Sequence, residues 1–115
     1  MNKIEYSPLV KGKMKKLQAW LVEHFDRKTA QKVLSEMISD IEILALHEDA
    51  GTSIADLYDL DTEYRYLFSH QHYLVYRVEM KNVIIVQMFH EREDFMMKLF
   101  GISGRTQESI DYWGD

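Results

Sequence analysis

The chain has 115 residues, which is enough for one ordinary domain and too few for two independent cores. It has no cysteine, so disulfides and thiolate metal sites are excluded, and we expect a cytoplasmic location. The net charge of −5 argues against nucleic acid as the main ligand, because phosphate binding usually requires a basic excess. We also expect no membrane association, since no apolar stretch approaches the roughly 20 residues of a membrane span.

The charges are distributed unevenly along the chain. Five lysines against one glutamate give residues 1–20 a net charge of +4, whereas three bases against ten acids give residues 21–61 a net charge of −7. Lys13, Lys15 and Lys16 therefore lie in the one basic region of the chain. They are candidates for contact with nucleic acid or with an acidic partner, and the alternative is a solvated helix face.

The first half of the chain predicts a short strand and two helices. Residues 3–6 alternate polar and apolar side chains and end before Pro8, with Ser7 in the position of an N-cap. Asp26 is the expected cap of the second helix. Each helix carries one apolar stripe, which favours a helical hairpin packed on a sheet. The stripes consist of Met14, Leu17, Leu21 and Phe25 in the first helix, and of Leu34, Met37, Ile38, Ile41, Leu44 and Ala45 in the second.

The second half predicts three antiparallel strands. A loop over residues 47–53 contains Gly51, and apolar runs follow at residues 64–68, 73–79 and 83–89 with short polar breaks between them. The middle run alternates, so one face should carry Leu74, Tyr76 and Val78 against the helices. Tyr73 should then lie on the open face together with Arg77.

A short helix over residues 94–100 should follow, with Asp94 as its N-cap and Gly101 as its end. The predicted fold class is α+β: a small antiparallel or mixed sheet with a helical hairpin on one face, in the order β-α-α-β-β-β-α. We expect one domain over residues 1–100 and a polar, flexible tail over residues 101–115. Tyr112 and Trp113 suggest that this tail folds over the open face of the sheet.

Several stretches resemble the toxins of the RelE/ParE superfamily. They are the opening "YSPLVKGKMKKLQAWL", Gly51, and the strand sequences "EYRYLF", "YLVYRV" and "NVIIVQMFHERED". The resemblance runs over residues 3–100 and implies the same fold as the residue pattern. It also implies a toxin of a type II toxin–antitoxin module, held inactive by a cognate antitoxin. In that superfamily the RelE-like branch cleaves mRNA in the ribosome, and the ParE-like branch inhibits DNA gyrase.

The end of the last strand bears on the choice between the branches. His90, Arg92 and Asp94 form an ending similar to that of the ParE-like and plasmid-stabilisation branch, and Arg65 and Arg77 match arginines of the family's second and third strands. The basic residues that serve cleavage in the ribosome-dependent branch are not matched one for one. The resemblance therefore favours the ParE-like branch.

A metal-independent ribonuclease remains the alternative. RNA cleavage requires a general base, a general acid and cations beside the phosphate. His90 could act as acid or base, Glu91 or Glu93 could act as base, and three arginines could neutralise phosphate. If the last strand continues through residue 92, His90 and Arg92 point to one side and Glu91 to the other. The candidate catalytic residues are Arg65, Arg77, His90 and Arg92. A purely structural role, in which the charged cluster caps the following helix, is the other interpretation.

Target binding is assigned to Tyr73, as an exposed aromatic side chain, and to Glu91. His70 and His72 are interpreted as polar loop residues because no third metal ligand accompanies them. No cofactor, metal or small-molecule ligand is expected. The expected partners are a cognate antitoxin and a target, either DNA gyrase or the ribosome with its mRNA. The antitoxin should bind an apolar groove between the hairpin and the sheet edge, or add a strand to that edge. A remnant that binds antitoxin without toxicity is a third hypothesis.

Overall fold

The computed structural model describes residues 1–101, and the predicted α+β class is confirmed. Two short elements, β2 (Thr52–Ser53) and α3 (Ile54–Tyr58), were not predicted. They lie in and just after the segment interpreted as a loop. Within residues 1–101, no helix has the length and apolar character needed to span a bilayer. The elements are β1 (Lys3–Tyr6), α1 (Pro8–His24), α2 (Arg27–Glu42), a 3-10 turn (Ile43–Ala45), β2 (Thr52–Ser53), α3 (Ile54–Tyr58), β3 (Arg65–Ser69), β4 (His72–Glu79), β5 (Asn82–His90) and α4 (Phe95–Phe100).

The helices begin where capping side chains occur in the sequence. Ser7 Oγ accepts a hydrogen bond from Val10 N at 3.2 Å, and Asp26 Oδ1 accepts one from Thr29 N at 2.6 Å. Asp94 caps α4 in the same way, and Gly101 ends that helix in the left-handed region, with φ at 69°. These local predictions are confirmed because a cap requires only neighbouring residues.

The five strands form one mixed sheet in the order β1-β5-β4-β3-β2. β1 runs parallel to β5, and the other neighbours are antiparallel, so the predicted meander of β3, β4 and β5 is confirmed. The pairing of β4 with β5 contains a bulge. Val75 pairs with Gln87, whereas Tyr76 pairs with Ile85, so Val86 is the extra residue. Side chains of β5 therefore change face at this point.

The two long helices cover one face of the sheet, which we call the hairpin face. Leu74 and Tyr76 are buried there and Val78 packs beside them, as predicted. Two predictions on the helices are wrong. Phe25 is 63% exposed because it follows the last residue of α1, and Ile38 is 39% exposed because it is rotated by about 100° from Met37 around the helix. The fully or nearly fully buried members of this core are Val10, Met37, Ile41, Leu44, Leu74, Tyr76, Val83, Ile85 and Met88.

The opposite face of the sheet is not open as expected. α3 and α4 cover much of it and contribute to a second apolar cluster with Ile54, Val75 and Phe89. Tyr73 is half-buried in this cluster, with its ring centroid 4.7 Å from that of Phe95. The prediction that Tyr73 lies on an open face is therefore wrong. The tail proposed to cover this face lies outside the described residues from position 102 onward.

Candidate functional site

A groove lies between the helical hairpin and the end of the sheet. Its cavity has a volume of about 430 Å³. One wall is apolar and comes from α1 and α2, whereas the rim comes from the β3–β4 turn and the last residue of β5. The residues that define this hairpin groove include Leu17, Trp20, Phe25 and Val33 in the wall, and His70, His72 and His90 in the rim.

Large apolar side chains of the hairpin groove remain exposed. Trp20 is 49% exposed and Phe25 is 63% exposed. The Trp20 ring stacks on His24 at 4.4 Å between centroids and meets Phe25 edge-on at 6.0 Å. Exposed aromatic side chains grouped at a concave surface are typical of a protein interaction site. Trp20 and Val33 were not singled out from the sequence, although Trp20 lies between Leu17 and Leu21 and widens their apolar stripe.

Three histidines form the polar rim of the hairpin groove. His72 pairs with His90 across the two strands, and their ring centroids lie 5.2 Å apart. His72 Nδ1 donates to the carbonyl oxygen of His70 at 2.7 Å, and His90 Nδ1 accepts from Arg92 N at 3.2 Å. His70 lies 3.0 Å from Glu36. In the described part of the chain, no group of three or more potential ligands is placed to hold a metal ion.

The pKa of His72 makes stability depend on pH. Burial lowers the pKa of His72 below the ordinary value of 6.5, and repulsion from His90 lowers it further. The hydrogen bond to His70 O raises the pKa, but by less than burial lowers it. As the pH falls below 6.5, the unfolded chain takes up a proton that the folded chain resists, so the free energy of unfolding decreases. We expect His72→Gln to show a smaller decrease between pH 7.5 and 5.5 than the wild type, measured by urea unfolding. His47→Gln, at an exposed position, should behave as the wild type; equal pH dependence in all three proteins would contradict this expectation.

The four candidate catalytic residues lie in different places. Arg65 Nη1 donates to the carbonyl oxygen of Gly51 at 3.1 Å, and Arg65 Nη2 lies 3.9 Å from the carboxylate of Asp49. Arg77 Nη1 bonds Glu79 at 2.7 Å and lies 4.0 Å from Glu63. Both guanidinium groups therefore have acceptors from the protein itself.

His90 and Arg77 are also separated along the sheet. His72, which pairs with His90, and Arg77 are five residues apart on β4, or roughly 17 Å along an extended strand. They also point to opposite faces. Arg92 is exposed in a turn closed by a hydrogen bond from Glu93 N to His90 O at 2.9 Å. β5 ends at His90, so the condition under which His90 and Arg92 would share one side of the strand is not met.

The two candidate target-binding residues lie near each other. Tyr73 and Glu91 line a second cavity of about 240 Å³ on the opposite face, together with Tyr58, Arg92 and Asp94. The floor is aromatic and the rim is charged. The structure thus brings Arg92 close to Glu91 and Tyr73, and away from Arg65 and Arg77.

The lysines of α1 differ in their surroundings. Lys15 and Lys16 are exposed, but Lys13 Nζ donates to Gln87 Oε1 at 3.1 Å and to Met88 O at 2.7 Å. Burial lowers the pKa of Lys13. Lys13 and Lys16 line a cavity of about 350 Å³ that shares Trp20 and His90 with the hairpin groove. The basic residues of α1 are therefore next to the groove.

The comparisons with known proteins agree with this architecture. Residues 4–95 match the family described as "ParE toxin of type II toxin-antitoxin system, parDE". A comparison with curated proteins found no significant match. One similar solved structure is described as "Chromosomal ParDE TA system from P. aeruginosa"; the TM-score is 0.64 at 14% identity, over 78% of this chain and 96% of that chain. At this identity the structural likeness shows a shared fold, which supports the predicted RelE/ParE-like architecture. Because the family match spans most of the chain, we conclude that this protein belongs to the family of ParE toxins of type II toxin–antitoxin systems.

Proposed function

We propose that this toxin inhibits growth by binding a protein target such as DNA gyrase. We further propose that a cognate antitoxin neutralises it by occupying the hairpin groove. The observation that carries the choice of a protein target is the separation of Arg65, Arg77 and His90. Cleavage of RNA requires acid, base and cation within contact distance of a single phosphate.

The ion pairs of the two strand arginines support the same choice. A phosphate-binding arginine offers its planar fork to the ligand. Arg77 already meets two carboxylates, and Arg65 holds the loop at Gly51. To bind phosphate, each would have to exchange these acceptors for the ligand. A catalytic role of these residues therefore has little support from their contacts.

The groove supports the role given to the antitoxin. Its wall is apolar, and Trp20 and Phe25 are large side chains that a partner could bury. Buried aromatic anchors commonly contribute most of the affinity of an interface. An amphipathic segment whose apolar side chains enter the groove would suit this surface.

Inducible expression in bacteria tests the proposal. We expect growth arrest, a change in plasmid supercoiling and intact cellular mRNA when the wild-type toxin is expressed alone. Growth, supercoiling and primer-extension mapping of mRNA ends would be measured in the same cultures. Co-expression of the antitoxin from the same module should restore growth.

The double variant His90→Ala, Arg92→Ala distinguishes the other outcomes. New mRNA ends with the wild type that disappear with this variant would establish the ribonuclease alternative and overturn the proposal. Absence of growth arrest with the wild type, despite accumulation of folded protein, would identify a non-toxic remnant. Unchanged supercoiling during arrest, with intact mRNA, would exclude gyrase.

A further inference from the structure

Half of β5 forms an edge of the sheet. β1 pairs with residues 82–85 only, so within residues 1–101 no strand lies beside residues 86–90 on that side. Among the strands that the structure describes, β5 is also the most apolar, with Val83–Phe89 interrupted only by Gln87. An apolar strand with a free edge is a template for pairing with another chain.

Side chains cover the backbone groups of this edge. The carbonyl oxygen of Val86 accepts from Ser7 Oγ at 3.2 Å, and that of Met88 accepts from Lys13 Nζ at 2.7 Å. The amide of His90 donates to Glu93 Oε1 at 3.0 Å. These groups would otherwise be available to an added strand. Glu93 is in turn held by Lys98.

Lys13 crosses the edge from one face of the sheet to the other. Its helix packs on the hairpin face, yet its ammonium lies 4.6 Å from the ring centroid of Phe89, which belongs to the cluster on the opposite face. The side chain therefore occupies the line along which an added strand would run. A charged lysine in this position is costly to remove because Met88 O would lose its donor.

We infer that Lys13 prevents the free edge of β5 from pairing with a strand of a second copy of this chain. Glu93 has the same effect at the end of β5, where it accepts from His90 N. This role is independent of the growth target and of the antitoxin. It explains why Lys13, unlike Lys15 and Lys16, is turned toward the sheet and away from solvent.

The test compares Lys13→Met with Lys16→Met, a matched loss of charge at an exposed position of the same helix. For Lys13→Met we expect the dissociation constant for self-association to fall by at least about tenfold, measured by analytical ultracentrifugation over a concentration series. Self-association should protect the amide of Met88 from deuterium exchange. Lys16→Met should behave as the wild type, and Lys13→Arg should restore wild-type behaviour because it keeps the charge and the donors.

Equal self-association of Lys13→Met and Lys16→Met would overturn the inference. Circular dichroism establishes that each variant is folded. If Lys13→Met does not fold, Glu93→Ala carries the same test at the other end of the edge, since it removes the acceptor of His90 N. A folded Glu93→Ala protein that associates no more than the wild type would equally overturn it.

Discussion

Replacing Gly51 by alanine is expected to lower the free energy of unfolding by roughly 2–3 kcal/mol, a typical cost of overfilling a packed site. A Cβ at this position would lie 2.5 Å from the Tyr76 hydroxyl and 2.8 Å from the carbonyl oxygen of Tyr66. Tyr76 cannot easily move away. Its hydroxyl accepts from Gly51 N at 3.0 Å and donates to Glu48 O at 2.7 Å, and its ring is fully buried.

Gly12 provides the matched control because the same substitution should have the opposite sign. It lies inside α1, and a methyl group added there would have open space for 4 Å around it. Gly12→Ala should raise the free energy of unfolding by roughly 0.5–1 kcal/mol, the usual difference between the two residues in a helix interior. Urea unfolding of both variants measures the effect. Destabilisation by Gly12→Ala, or a neutral Gly51→Ala, would contradict the packing described for these positions.

Trp20→Ala is expected to weaken antitoxin binding by at least about thirtyfold, which corresponds to roughly 2 kcal/mol for loss of an aromatic anchor. Trp20 is about half exposed in the free toxin, so truncation should cost folding much less than it costs binding. Titration calorimetry with purified antitoxin measures the affinity, and thermal unfolding of the free variant measures the stability. In cells, the variant should arrest growth even when the antitoxin is co-expressed.

Val22→Ala is the control for this prediction. Val22 is 37% exposed on the same helix but lines a different cavity, with Lys15 and Glu23. The Val22→Ala protein should bind the antitoxin with the affinity of the wild type. Equal effects of the two substitutions, or unchanged affinity of Trp20→Ala, would show that the antitoxin does not use the hairpin groove.

Much of the fold could be predicted because the relevant signals are local. The caps Ser7, Asp26 and Asp94 precede their helices directly, and alternation along β4 assigned Leu74 and Tyr76 to the helical side correctly. β2 and α3 were missed because two strand residues and five helical residues have too little periodicity to be recognised. Ser53, which caps α3 through Asp56 N, was the one local signal.

The candidate site was less predictable because its contacts join distant parts of the chain. Arg65 is paired with Asp49, and Arg77 with Glu63. Neither ion pair can be predicted from the spacing of these residues along the sequence. Lys13 and Lys16 lie in the same lysine-rich stretch of sequence, so their neighbours along the chain do not distinguish them. Only the side chain of Lys13 bonds β5, 74 residues later in the sequence. The resemblance to a toxin family identified the broad function, whereas the ion pairs depend on the folded chain.

The bulge at Val86 determines which chemistry the end of β5 presents. Because this strand contains one residue more than its partner requires, Ile85 and Met88 both face the helices. If the same residues paired regularly, without a bulge, Gln87 and Phe89 would turn toward the helices and His90 would turn away from them. A single unpaired residue therefore sets the phase of the strand. It places the imidazole of His90 at the entrance of the hairpin groove and the ring of Phe89 in the second apolar cluster. The same residues in a regular strand would lie on the opposite faces.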